Sequence, residues 1–227
     1  PAPILPGLML AGSAPAGAQV ASEVTLETLA GEGSAGTRAN NVAGTGLGGA
    51  SGPVPGYVAS RSTAGTKTDT PILETAQSIS VVGAQEIDTL KAQSVQDALG
   101  YVAGVSRFEG LSRVQDTIYL RGFQAQAGTG SVYRDGTKYT VNAFNGKQEP
   151  YGLERIEVLK GAASVLYGSA APGGIINTVT KRPEVGMRQE VGLEVGSHDR
   201  RQVTFDVGGA LSDDEVWSYR LTGLQRD

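Results

Sequence analysis

The side chains that most often carry chemistry are sparse in this sequence and poorly placed for it. His198 is the single histidine, set in the polar stretch Ser197-His198-Asp199 without a ligand set around it. Neither an imidazole metal site nor a histidine general base has a partner there. Asp213-Asp214-Glu215 could attract a cation, but the run lacks calcium-loop spacing and reads as a solvated turn. No serine stands in a nucleophile-elbow context, and cysteine is absent. Gly44-Thr45-Gly46-Leu47-Gly48-Gly49 spells G-x-G-x-x-G with no strand before it and no helix after it, so the glycines have no dinucleotide to hold. The expectation is a protein that is not an enzyme, with no catalytic residue, no metal ligands and no cofactor of its own.

A different kind of signal runs from Arg155 to Pro183, RIEVLKGAASVLYGSAAPGGIINTVTKRP. Two β-prone runs flank a centre of Gly, Ala, Ser and one Pro. Such a centre either cradles a phosphate or lets backbone pack very close to a neighbour. A phosphate loop needs G-x-x-x-x-G-K-[ST], or a longer helix whose N-terminus faces the ligand, and neither is present. Close packing remains.

The elements around that stretch follow from periodicity and turn chemistry. Gln77 to Val82 alternates as a strand and ends at Gly83. A helical stretch starts at Ala84, and Ser94 is placed to cap a second short helix whose Val95, Leu99 and Val102 share one face. Thr117 to Gly122 reads as a strand carrying Arg121, and Ser131-Val132-Tyr133 as another, closed by the turn Asp135-Gly136. Arg155 to Lys160 and Ile175 to Thr180 complete a small α+β unit around a mixed sheet. After Pro183 the pattern becomes strict alternation in Glu190 to Val195, Gln202 to Val207 and Trp217 to Thr222, with Val, Leu, Phe, Trp and Tyr on one face and charged or small residues on the other. A half-buried soluble sheet and a transmembrane barrel both alternate in this way.

Composition narrows the partners. The net charge of −4 offers no basic field, so nucleic acid is not expected, and 33 glycines favour turns and close approach over long helices. The first 18 residues, apolar and ending in Ala16-Gly17-Ala18, have the form of a signal-peptide remnant. Residues 19–56 read as a tail and flexible linker. Within that tail Glu23, Val24, Thr25, Leu26 and Glu27 form a β-prone island, the kind of segment that adds a strand to a partner's sheet edge.

Tyr119 to Phe123, Asp135-Gly136, Pro150 to Val158 and Gly173 to Asn177, read together, closely resemble the plug of TonB-dependent outer-membrane receptors, and Thr70-Pro71, Thr75 and Gln77 to Val82 resemble its siderophore branch. The resemblance covers about Tyr57 to the end. It implies an α+β plug with a small mixed sheet over 57–183, followed over 184–227 by antiparallel strands of a truncated transmembrane β-barrel, since three strands cannot close. It further implies an outer-membrane location in a diderm bacterium, membrane lipid around the strands, a ferric siderophore as ligand with iron present only inside it, and the energy-coupling protein TonB binding Glu23 to Glu27. Phe108, Gln126, Tyr139 and Phe144 match the plug loops that meet the siderophore. Arg121, Glu154, Arg155 and Glu157 are the expected ion-pair partners of the barrel lumen, with Lys160 and Lys181 read as solvated charges. The sequence departs from the family at Lys160-Gly161-Ala162, where Arg-Gly-Pro is usual, and at Arg134, where an apolar residue is common. The alternatives are a receptor for another nutrient such as cobalamin, or an exported binding or secretion-pore module with no uptake role.

Overall fold

The computed structural model describes residues 23–25, 49–50, 52–107, 116–125, 127–140, 147–184, 186–197, 199–212 and 216–227. In chain order its elements are β1 (Glu23–Thr25), β2 (Arg61–Ser62), β3 (Thr70–Pro71), β4 (Ser78–Gly83), α1 (Ala84–Thr89), α2 (Val95–Ala98), β5 (Val105–Arg107), β6 (Ile118–Leu120) and β7 (Phe123–Ala125). They continue as β8 (Val132–Arg134), β9 (Thr137–Lys138), β10 (Leu153–Lys160), α3 (Ser164–Tyr167), β11 (Gly174–Thr180), β12 (Arg188–Val195), β13 (Arg201–Ala210) and β14 (Ser218–Arg226).

The centre is a five-stranded mixed sheet of order β4-β10-β11-β8-β9, in which only β11 and β8 run parallel. β10 lies between β4 and β11, antiparallel to both, and is buried along almost its whole length. A β-bulge between Leu153 and Arg155 resets its alternation. Without that extra residue Leu153 would share a face with Arg155; with it, Leu153 joins Ile156 and Val158 in the main core, against Val82, Leu99, Leu120 and Ile176. Leu159 falls on the opposite face and packs with Ala64, Tyr133, Tyr167 and Ile175. The Ser94 hydroxyl caps α2 by accepting from the Asp97 amide at 3.1 Å, as its position before Val95 suggests.

Two sequence expectations are corrected locally. The strand expected to reach Gly122 stops at Leu120, because Arg121 (φ 49°) and Gly122 (φ 86°) are left-handed and form the two-residue turn of the β6–β7 hairpin. Asp135 (φ 50°) and Gly136 (φ 77°) make the same kind of turn between β8 and β9, where a turn was expected. The small-residue centre also serves a neighbour nearer than a barrel wall. A Cβ at Gly173 would collide with the Leu120 carbonyl oxygen, and one at Gly174 (φ 129°) with that of Leu159. The glycine pair therefore lets the chain entering β11 pass directly against β6 and β10.

β12, β13 and β14 form an antiparallel sheet extended at its β12 edge by β1. Val191, Leu193, Val195, Val203, Phe205 and Leu221 share its outer face and are exposed. Glu190, Glu194, Gln202, Asp206 and Arg220 share the inner face, toward the α+β unit. No helix of the described residues is long and apolar enough to cross a membrane.

Candidate functional site

The strongest concentration of charge lies where the mixed sheet meets the strand hairpins. Asp206, fully buried on β13, receives two hydrogen bonds from Arg220 on β14, from Nε to Oδ1 at 2.8 Å and from NH2 to Oδ2 at 2.7 Å. Lys181, just past β11, reaches the same carboxylate at 3.2 Å, and Arg188 at the start of β12 lies at 3.3 Å. Arg220 turns its NH1 toward Glu154, the bulge residue of β10, at 3.5 Å, and toward Glu184 at 3.6 Å, and donates to the Arg182 carbonyl at 3.0 Å. Lys181 also stands 4.3 Å from the centre of the Tyr151 ring. One carboxylate and one guanidinium thus join two chain segments that share no β-ladder. A buried pair of this kind holds firmly while intact, and is costly to break one partner at a time.

Above this cluster a cavity of about 360 Å³ separates α1 and residues 149–154 from the inner faces of β12 to β14. Lys91, Tyr151, Arg188, Gln202 and Arg226 are among the residues lining it, and Arg226 pairs with Glu149 across it at 3.3 Å.

The expected lumen-facing residues divide. Glu154 does meet a strand, through Arg220. Arg155 and Glu157 do not: they are 1% and 0% exposed, on the face of β10 that carries Leu159, and they face each other at 3.6 Å. Their expected pairing with a wall is corrected on that ground, since the bulge sends them into the α+β unit. Arg121 sits exposed on its turn, with no ion pair among the described residues, and contributes to holding the Lys160 ammonium below its usual value, after the larger effect of burial. Lys160 donates to Ser80 at 2.8 Å. Lys181, expected to be solvated, belongs to the central cluster. Asp206 and Arg220 were missed; the signal available was a carboxylate between Phe205 and Val207 in a strand whose alternation placed it inward.

Of the expected ligand contacts, Phe108, Gln126 and Phe144 lie outside the described residues. Tyr139 follows β9, half-buried, with its amide donating to the Val132 carbonyl at 2.9 Å and the Arg134 guanidinium over its ring at 4.9 Å. Arg134, noted only as a family departure, also donates to Gln148 at 3.1 Å, and the same Gln148 oxygen accepts from Thr178 at 3.0 Å. Gln148 donates its amide to Asp116 at 3.0 Å, and burial raises the Asp116 carboxyl above the usual aspartate value. Arg134, Tyr139 and Gln148 are therefore joined by a polar chain that no sequence motif announces. In the tail, the backbone of Glu23 to Thr25 pairs with Glu194 to Gly192 on the edge of β12, while Leu26 and Glu27 lie outside the described residues.

The sequence and fold of the chain are similar to those of known proteins. The family described as TonB-dependent Receptor Plug Domain matches residues 71–175. This chain carries a TonB-dependent receptor plug. It is 44% identical over 177 residues to the ferrichrome outer membrane transporter/phage receptor of Escherichia coli K12, a match covering 77% of this chain and 24% of that protein. It is 37% identical over 179 residues to the ferrioxamine receptor of Yersinia enterocolitica, covering 77% and 25%. The solved pyoverdine outer membrane receptor FpvA of Pseudomonas aeruginosa superposes with a TM-score of 0.67 at 26% identity, covering 75% of this chain and 25% of that one. The chain thus spans about a quarter of the length of these relatives. The plug and the antiparallel strands after it have the same order as in the sequence reading, and Asp206 with Arg220 is the joint between them.

Proposed function

We propose that this chain belongs to an outer-membrane receptor that takes up a ferric siderophore by TonB-driven movement of the plug. The observation that carries the reading is the junction itself: a plug sheet tied through Glu154 and Lys181 to the Asp206–Arg220 pair, on strands whose other face is largely apolar. An outward row of Val, Leu and Phe beside an inward row of charges suits strands with lipid on one side and a plug on the other. Residues 1–18 act as a leader remnant, 19–56 as tail and linker, 57–183 as plug and 184–227 as the first barrel strands. Iron enters as part of the cargo, so the protein needs no resident metal. Phe108, Gln126, Tyr139 and Phe144 contact the chelate from the plug side, and Glu23 to Glu27 recruit TonB by leaving the edge of β12 and adding a strand to TonB's sheet. The names of the relatives make ferrichrome and ferrioxamine the first ligands to test.

The test is growth and iron uptake in an iron-starved, receptor-null diderm strain carrying the full-length gene, supplied with one siderophore at a time. Uptake of at least one siderophore, abolished by Thr25→Pro with surface binding retained, is the expected result, because proline removes an amide donor and fixes φ. Uptake of none, or full uptake by the proline variant, refutes the reading.

A further inference from the structure

The hairpin formed by Arg61 to Pro71 lies on the plug without joining its sheet. Its two strands pair only with each other, and its closure is local: Arg61 donates to the Asp69 carboxylate at 2.6 Å and to the Asp69 carbonyl at 2.7 Å. The apolar contribution to the plug is small, since Ala64 is the one buried apolar side chain of residues 61–70. What fastens the hairpin is polar. The fully buried Glu157 carboxylate accepts from Ser62 Oγ at 3.0 Å, from the Thr63 amide at 3.3 Å and from Thr63 Oγ1 at 3.3 Å. Tyr167 donates its hydroxyl to the Ala64 carbonyl at 2.9 Å, and Lys67 stands 3.8 Å from the centre of the Tyr167 ring. Glu157 also accepts from Asn177 Nδ2 at 3.0 Å, and Asn177 Oδ1 in turn accepts from the Gly136 amide at 3.0 Å. The carboxylate therefore gathers donors from the hairpin and from β11 into one network.

Beside it sits an imbalance. Arg155 is 1% exposed, yet its Nε and NH2 have no hydrogen-bond partner among the described residues. A buried guanidinium short of acceptors is held at a cost that water would relieve. Ser62 and Thr63 are part of the cover that keeps water from this face. Lifting the hairpin breaks its bonds to Glu157 and at the same time hydrates Arg155, so the two changes offset one another. By contrast β10 is locked by ladders on both sides, with Arg155 to Lys160 paired to β4 and Leu153 to Lys160 paired to β11.

We infer that residues 61–71 form a releasable clasp on the plug and that Glu157 is the positioning residue that sets its release, with the hairpin leaving as a unit while β4, β10 and β11 remain paired. The inference rests on the proposed transport function only for where force would arrive, through the chain before Arg61. The clasp itself is a property of the resting protein.

Amide hydrogen exchange on the full chain in lipid, with neither siderophore nor TonB present, tests it. The amides of residues 62–67 should exchange at least 10-fold faster than those of 156–159. Glu157→Ala should accelerate residues 62–67 by a further 10-fold or more and accelerate 156–159 and 175–179 by clearly less, since it also leaves Arg155 and Asn177 without that carboxylate, with Glu157→Gln intermediate. The double variant Ser62→Ala, Thr63→Val removes the two hydroxyl bonds to Glu157 from the hairpin side while the Thr63 amide bond stays, and should accelerate the same region by less, which keeps the inference testable if Glu157→Ala does not fold. Equal protection of hairpin and sheet, acceleration of both to the same extent in these variants, or no acceleration of 62–67 overturns it. Because no ligand or partner enters the measurement, its failure would leave the transport reading standing, and failed uptake would leave the clasp standing.

Discussion

Removing the Asp206 carboxylate should loosen the joint between plug and strands. Asp206→Ala leaves Arg220, with its side chain only 4% exposed, facing a void, and removes the nearest acceptor of Lys181. Breaking one side of a buried ion pair costs about 3–5 kcal/mol, because the surviving charge stays desolvated. Arg220 keeps Glu154 at 3.5 Å and Glu184 at 3.6 Å, which places the expected loss near the lower end, about 3 kcal/mol. Asp206→Asn keeps the shape and one acceptor, and should cost less. The clean measurement is a double-mutant cycle of Asp206→Asn with Arg220→Met, read by reversible urea unfolding of the full chain in lipid vesicles. A coupling of about 2 kcal/mol or more is expected, above the roughly 0.2–1 kcal/mol typical of exposed pairs. A coupling within that exposed range would show that the cluster is an ordinary surface arrangement and would refute the reasoning.

Gly174→Ala should destabilise the plug by about 2 kcal/mol or more, since its φ of 129° disfavours a side chain and the added methyl meets the Leu159 carbonyl; thermal unfolding measures this. Tyr139→Ala should weaken ferric-siderophore binding by about 1 kcal/mol or more, and Tyr139→Phe by less, because the Arg134 contact is to the ring; binding titration on inserted protein decides it. Acid should loosen the 61–71 hairpin before the sheet. The hydrogen bond from Arg61 holds the Asp69 carboxyl below the usual aspartate value, so the stabilisation is present above the unfolded value of about 4 and is lost as pH falls from there through the folded value. Limited proteolysis near Lys67 between pH 6 and pH 3 should show faster cleavage only toward the acid end, once corrected for the protease's own pH dependence.

The sequence made the plug legible because its elements are local and marked: alternation in Gln77 to Val82, a serine at the head of α2, Asp-Gly at the β8–β9 turn. The strands after Pro183 were legible for the same reason. What it concealed were consequences of one inserted residue. The bulge at Glu154 is invisible in composition, yet it turns Glu154 outward to Arg220 and sends Arg155 and Glu157 inward, so that residues adjacent in sequence take opposite roles. The Lys181–Asp206 contact was hidden differently, because it joins residues 25 apart across a change of architecture. The Arg134–Gln148–Thr178 chain likewise depends on a parallel pairing of β8 with β11 that no local signal specifies.

Asp206 also bears on how the strands find their alignment. Every residue of β13 from Gln202 to Val207 faces a partner on both β12 and β14, and hydrophobic alternation alone would tolerate a slip by two. A slip by one would turn the carboxylate to the apolar outer face, which is costly. A slip by two would keep it inward: one way it would face Gly192 and Leu224 and leave its charge buried without Arg188 and Arg220, and the other way it would take the place of Gly208, opposite both arginines. A single aspartate thus makes strand pairing directional, penalising slippage one way that greasy side chains by themselves would accept.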